Sequence, residues 1–537
     1  MNSRFLTTTL SFAVALSTAS AAVKLPAIFS DHAVLQREAK VPVWGWAEPS
    51  EEVTVSIAGQ SKTTKADEKG KWRVRFENLK GDGPQELTVK GSDTVTVHDV
   101  LIGEVWLGSG QSNMAMTVNR AKNYEEEKAA AAATPKIRVF TVSSGPAETE
   151  QENCVGKWVV CSPETVGGFS ATAFFFGREV HRQIEVPMGI INSSVGGTPI
   201  ESWISADVQH ASPELKAYFD ESKPAPQLSD EEQTARYQKA LELWKKKVAA
   251  AKAEGKEPEG RAPKDPIAAR KSKGGMGQLF NGKIAPLIPY AIRGALWYQG
   301  EANSNGPKAN FYQFQLPLLV SDWRKRWGYE FPFAWVQLPN FTKGGQADAW
   351  CLVREAELKS LKLPKTGMAV TLDIGEEHNI HPLDKQDVGK RLATWALATV
   401  YGQKVPSSSP LPSGHEIKGS EVIVKFSHAD GGLTAKDGAL RGFTLAGEDK
   451  IFHDAQARIE GNTVIVSCPE VPKPVSLRYA WKDWTNANLY SGAGLPATQF
   501  RTDDWPVAIP AVEARPAAKK AKKASAVATE GAATSAK

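Results

Sequence analysis

The sequence predicts an α/β protein: a mainly parallel sheet with helices on both faces, flanked in the chain by two β-sandwich-like modules. Three observations carry this. Between residues 102 and 405, short apolar runs alternate with helical stretches, the rhythm of a parallel sheet covered on both sides. Residues 22–101 instead hold short, mostly alternating segments with Gly and Asp at the turns, as in a small antiparallel sandwich. Residues 406–508 return to that β patterning.

Residues 1–21 read as a secretory signal peptide. Arg4 supplies the positive start, Leu10 to Leu16 the apolar core, and Ala19-Ser-Ala21 a small-residue cleavage site after Ala21. The apolar run is shorter than the roughly 20 residues a membrane span needs, and no later stretch reaches that length. A secreted or periplasmic protein without a membrane span is expected.

The first module is built from Val41–Trp46, Val53–Ile57, Trp72–Phe76 and Leu87–Lys90. Thr94 to Leu101 leads out of it into the 102–405 domain. That domain opens with Val105-Trp-Leu107, followed by strand-like Ile137–Val142, Met188–Ile191, Arg293–Tyr298, Phe331–Val336 and Met368–Leu372. Helical stretches at 171–180, 281–287, 311–327, 352–361 and 385–400 lie between or after them. Residues 205–275 interrupt the rhythm. Ser229-Asp-Glu-Glu232 is a capping box that starts a Lys- and Ala-rich helix from 230 to about 252. Tyr237, Leu241, Trp244 and Val248 give it one apolar stripe, so this is read as a peripheral insertion.

The tail, residues 509–537, is Ala-rich and carries Lys519, Lys520, Lys522 and Lys523. Such a composition builds no core and predicts disorder. It also supplies part of the net charge of +5, so the charge does not argue for a nucleic-acid partner. Four cysteines, Cys154, Cys161, Cys351 and Cys468, form no CxxC or Cys/His cluster. No metal and no cofactor are expected. Cys154 and Cys161 are near enough in sequence to pair, though four cysteines allow three full connectivities.

The chemistry centres on Val105-Trp-Leu-Gly-Ser-Gly-Gln-Ser112. A strand, a small-residue turn and a serine present a hydroxyl at the carboxyl edge of a parallel sheet. The competing reading is that Ser112 only caps the next helix. A nucleophile needs a base, an orienting group and oxyanion donors, and the later strand-end loops offer a base and donors. His381 follows a strand and precedes Pro382 and a helix, which suits a base; His378 is the fallback. Asn192 to Thr198 contains Gly196 and Gly197, whose N–H groups can approach a negative oxygen. Tyr298 to Asn303 contributes the side-chain amides of Gln299 and Asn303.

Gly110-Gln-Ser-Asn-Met114, Val195 to Trp203, Trp297-Tyr-Gln-Gly-Glu-Ala-Asn303 and Ile380-His-Pro382 resemble the sequence blocks of the sialate O-acetylesterase family, within the SGNH hydrolases. Asp31 with Val34–Arg37, Arg478–Trp481 and Phe500–Trp505 extend the likeness over most of the mature chain. The resemblance implies a flavodoxin-like α/β/α hydrolase domain that removes O-acetyl groups from sugars. By motif, Ser112 is the nucleophile and His381 the base. The N–H groups of Ser112 and Gly197, with the side chain of Asn303 or Gln299, form the oxyanion hole. Gln111 and Glu301 belong to the same substrate-facing blocks. The chain departs from the wider SGNH pattern at His378, where an Asp is usual. Asp373 is the candidate orienting acid, with Glu376, Glu377 or a backbone carbonyl as alternatives. The substrate is an acetylated sugar or glycan. An acetylxylan or other polysaccharide acetylesterase, and a non-catalytic carbohydrate-binding protein, are the competing functions. The missing GxSxG elbow argues against an α/β-hydrolase esterase.

Overall fold

The computed structural model describes residues 22–221, 228–255 and 262–509. The signal peptide and all but the first residue of the tail lie outside them.

The N-terminal module holds β1 (Val34–Gln36), β2 (Lys40–Trp46), β3 (Glu52–Ile57), β4 (Gln60–Lys65), β5 (Lys71–Glu77), β6 (Gln85–Lys90) and β7 (Thr94–Gly110). β4, β3, β6 and the first half of β7 form one antiparallel sheet, and β2 pairs with β5 in another. Side chains alternate strictly: Trp72, Val74 and Phe76 of β5 are buried while their neighbours are exposed. Val53 and Val55 of β3 meet them in the same core, which is how two pleated faces bury a period-2 pattern.

β7 then changes character. Of its first six residues only Val97 is buried, but from Val100 onward every residue is. The strand has passed from a sheet with one wet face to the middle of a parallel sheet covered on both. The order there is β13-β12-β11-β7-β10-β8-β9, with β8 Ile137–Thr141, β9 Trp158–Val160, β10 Met188–Ser194, β11 Gly294–Tyr298, β12 Phe333–Val336 and β13 Thr366–Ala369. All neighbouring pairs are parallel except β8 with β9. The boundary expected at 101/102 therefore falls inside one unbroken strand, and β1 pairs with it at Val34↔Leu101. Composition changes there because the surroundings of the strand change, not because the chain has a linker.

Aromatic residues fill both layers around the sheet. On one face Trp106 stands edge-on to Phe176 of helix Ala171–Ile184, with centroids 4.8 Å apart. On the other, Trp297 meets Trp323 of helix Tyr312–Trp327 at 6.0 Å. Rings packed this way add about 0.5–1.5 kcal/mol beyond their area. The stretch at 281–287 forms short π and 3-10 turns rather than a helix, since Pro286 cannot continue an α-helical ladder.

The insertion helix runs Asp230–Ala253, and its capping box forms in both directions. The Ser229 hydroxyl accepts from the Glu232 N–H (3.1 Å), and the Glu232 carboxylate from the Ser229 N–H (2.9 Å). Tyr237, Leu241, Trp244 and Val248 are half-buried, and no residue of the helix is fully buried. The C-terminal module has two four-stranded antiparallel sheets. It is clamped to helix Ala347–Lys359 by Arg354, which donates to the carbonyls of Leu338, Pro339, Lys482 and Asp483. Arg501 reinforces this through Glu355 (2.8 Å). All four cysteines are free and buried, so Cys154 and Cys161 do not pair. No described helix is long and apolar enough to cross a membrane.

Where the module meets the domain, the Glu104 carboxylate on β7 is fully buried. It accepts from Arg37 (2.6 Å), Arg293 (2.6 and 3.0 Å), Gln36 (3.1 Å) and Tyr401 (3.2 Å). Burial opposes its charge, but the two guanidiniums more than compensate and hold it below the usual carboxylate range. Glu104→Ala leaves two cations facing an apolar gap and is expected to cost ~3–5 kcal/mol. Urea unfolding measures this; a loss below about 1 kcal/mol would mean that the cluster is not what joins the two parts.

Candidate active site

The site begins where β7 ends. Gly108 leaves room for Ala173 and Met114: a Cβ there would lie 3.1 and 3.2 Å from them. Gly110 has φ +134°, and a Cβ would stand 2.2 Å from the Tyr298 carbonyl oxygen. Only glycine lets the chain turn this close to β11. Gln111 then takes the N-cap position, and Ser112 is the first residue of the short helix Ser112–Ala115. Ser112 therefore does not cap the helix, and its side chain is committed elsewhere: Oγ lies 2.8 Å from Nε2 of His381.

Two neighbouring strands end level with Gly110. Ser194 of β10 and Tyr298 of β11 are both its register partners. After β10, the Val195 N–H donates to the Gly110 carbonyl (3.1 Å). This draws the next glycines over the serine, and a Cβ on Gly196 would lie 3.5 Å from the Ser112 Cβ. Gly197 has φ +69°. Among the described residues, neither the Ser112 nor the Gly197 N–H donates to a protein acceptor. Both are free for an oxygen bound beside Oγ.

Gln299 and Asn303, expected to donate to that oxygen, have their amides engaged within the protein. Both are fully buried. The Gln299 amide donates to Asn303 Oδ1 (2.8 Å), the Thr198 carbonyl (3.2 Å) and Gln111 Oε1 (3.2 Å). Asn303 donates to Glu201 (3.0 Å) and accepts from the Ile200 N–H (2.9 Å). Their donors are consumed in holding the loop that carries Gly197. Gln111 Oε1 also accepts from the Ala302 N–H (3.2 Å), which fixes that amide beside Ser112.

His381 sits in the loop after β13, organised by Glu376. One Glu376 oxygen accepts from the Leu383 N–H (2.6 Å), the other from the Asn379 side chain (2.9 Å). Asn379 in turn accepts from the His381 N–H (3.1 Å). Asp373, the expected orienting acid, is not at the imidazole. Both its oxygens are bound by Arg391, at 2.6 and 2.7 Å. A bidentate guanidinium is a stronger partner for a carboxylate than a neutral ring. Among the described residues, His32, His98 and His378 are the histidines in ion pairs with carboxylates. His378 pairs with Glu377 on the surface, its side chain 82% exposed, and takes no part at Ser112.

Sequence reasoning missed Asn113 and Lys385. Asn113 is fully buried. It donates to Glu301 and to the Ile380 carbonyl (3.0 Å) and accepts from the Lys385 ammonium (2.7 Å). It thus ties the serine turn to the residue before His381. Its place beside Ser112 was a signal; Lys385, one of many lysines, gave none. Burial pushes Glu301 above the carboxylate range and Lys385 down to about 7. His381 is likewise lowered, by burial first and then by the charges of Lys385 and Arg120. A depressed imidazole is neutral near pH 7, the form that accepts a proton.

The comparisons agree with this geometry. The family described as carbohydrate esterase, sialic acid-specific acetylesterase matches residues 102–249 and 280–398. Sialate O-acetylesterase of Homo sapiens is 30% identical over 518 residues, covering 87% of this chain and 90% of that protein. The Mus musculus enzyme is 30% identical over 440 residues, 74% and 77% of the two chains. The crystal structure of a carbohydrate acetylesterase from Xanthomonas citri is 33% identical with a TM-score of 0.76, covering 90% of this chain and all of that one. A parallel α/β sheet with this serine–histidine pair at its edge, and these relatives, define a carboxylic ester hydrolase. The chain belongs to the sialic acid-specific acetylesterase family of carbohydrate esterases.

Two outcomes follow from the site. Asp373→Ala strands Arg391 and is expected to cost about 3 kcal/mol of stability, with esterase turnover within about tenfold of wild type. A larger loss of turnover in folded protein would return Asp373 to the reacting centre. Lys385→Met removes a cation that holds the His381 pKa down, so that pKa rises. The acidic limb of the kcat/KM profile then moves to higher pH; an unmoved limb would show that Lys385 does not act on the imidazole.

Proposed function

We propose that the protein is an exported serine esterase that removes O-acetyl groups from sugars, foremost from O-acetylated sialic acid. The 2.8 Å contact between Ser112 Oγ and His381 Nε2 carries this reading. The residues are 269 apart in sequence and meet only through the sheet.

Ser112 Oγ attacks the acetyl carbonyl carbon while His381 takes its proton. The Ser112 and Gly197 N–H groups stabilise the oxyanion of the tetrahedral intermediate. That intermediate collapses to acetyl-Ser112, and the imidazolium returns its proton to the departing sugar oxygen. Water, deprotonated by the same imidazole, attacks the acetyl group. Acetate leaves, and Ser112 recovers its proton. Asn379 and Glu376 hold the histidine loop, and Asn113 holds the serine turn against it. The signal peptide read at residues 1–21 supports export, and the family supports an acetylated sugar as substrate.

Ser112→Ala and His381→Ala are each expected to lower acetate release from O-acetylated sialic acid by at least ~10³-fold, with circular dichroism unchanged. Undiminished release from folded Ser112→Ala protein would refute the assignment.

A further inference from the structure

Residues 250–279 lie between the two blocks that match the family, yet the described residues 262–279 return to the Gly197 loop. Helix Pro266–Lys273 is capped by Asp265, which accepts from the N–H groups of Ile267 (2.9 Å) and Ala268 (3.2 Å). Arg270 ties it to Asp230 at the start of the long insertion helix (2.7 Å). Just beyond it, the Gly277 N–H donates to the Glu201 carbonyl (2.9 Å), and Gln278 donates to Glu148 (2.9 Å). Glu201 is the residue whose side chain holds Asn303. The end of the insertion is therefore pinned to the framework of the Gly197 loop.

This pinning sets Lys273 over that loop. A Cβ on Gly197 would lie 3.2 Å from the Lys273 Nζ and 3.5 Å from its Cε. The lysine is exposed, and among the described residues it is in no ion pair. Arg120, shortly after the serine helix, is also exposed and without an ion pair among the described residues. Its charge is felt at His381. The charge of buried Lys385 is felt at the same imidazole. An unpaired ammonium over the Gly197 loop does little for a neutral sugar, but it provides a partner for a sugar that bears a carboxylate.

We propose that Lys273 is a specificity-determining residue: its ammonium binds the carboxylate of an acidic sugar whose acetyl ester lies at Ser112. The assignment rests on reading Ser112 and His381 as the esterase pair. It gives the insertion a role in substrate choice, which its solvated long helix alone does not suggest.

The test uses the full-length protein and two substrates, O-acetylated N-acetylneuraminic acid and a neutral acetylated xylo-oligosaccharide. Lys273→Met is expected to lower the ratio of kcat/KM on the acidic over the neutral ester by roughly tenfold, mainly through KM, which corresponds to ~1.4 kcal/mol. Lys273→Arg is expected to retain most of the ratio, and added salt to narrow the difference between wild type and Lys273→Met. An unchanged ratio overturns the proposal. So does an equal fall in kcat on both esters, which would place Lys273 at the oxyanion instead. If wild-type protein cleaves neither ester, the esterase reading itself falls; if wild type and Lys273→Met cleave the acidic ester equally, only the role of Lys273 does.

Discussion

One strand sets the constraint on which everything else depends. β7 enters as an edge of the N-terminal sandwich and leaves as the central strand of the parallel sheet. Its first half pairs with β6, its middle with β1, and its end with both β10 and β11. Because those last pairings are parallel, their carboxyl ends open on one edge. Because Ser194 and Tyr298 are both in register with Gly110, the loops emerge at one height. A residue inserted into β7 would turn its side chains to opposite faces. It would also shift Ser112 away from the Gly197 loop.

Buried polar groups then hold the loops in place. Asn113 stands between Glu301 and Lys385 and also reaches the carbonyl before His381. Burial pushes Glu301 up and Lys385 down, both toward their neutral forms, the general response of ionisable groups taken out of water. A neutral amide bridges the two without a direct ion pair, while the second Glu301 oxygen has no hydrogen-bond partner among the described residues. Gln299 and Asn303 do the same beneath the glycine loop, spending their donors on Thr198, Glu201 and Gln111 rather than on a ligand. Among the described residues, the Ser112 and Gly197 N–H groups have no protein acceptor, and they stand beside the Ser112 hydroxyl and the His381 imidazole. A buried polar group must find a partner, so the unspent donors at the edge of the site are informative.

Most of this was legible before the fold was known, but unevenly. The alternation of β5, the capping box at Ser229 and the helix expected at 171–180 are local patterns, and each forms where its spacing predicts. Ser112 and His381 could be picked out because each follows an apolar strand and precedes a helix. Asp373 was misjudged for a reason that no local pattern shows: Arg391, two helical turns into the last helix, reaches back and takes both its oxygens. The expected joint at 101/102 lies inside one unbroken strand, because pairing, not composition, decides whether a strand continues.

By itself, then, the sequence determined the elements, their class, and which strand ends carry reactive residues, since periodicity and turn chemistry act over a few residues. The tertiary structure alone decided who partners whom. It assigned Asp373 to Arg391, Asn303 to Glu201 and Asn113 to Glu301 and Lys385. It also brought Lys273 from the far end of an insertion to Gly197. Hydrogen bonds and charges choose partners by distance in space and by competition for donors, and neither quantity is written in the order of residues along a chain.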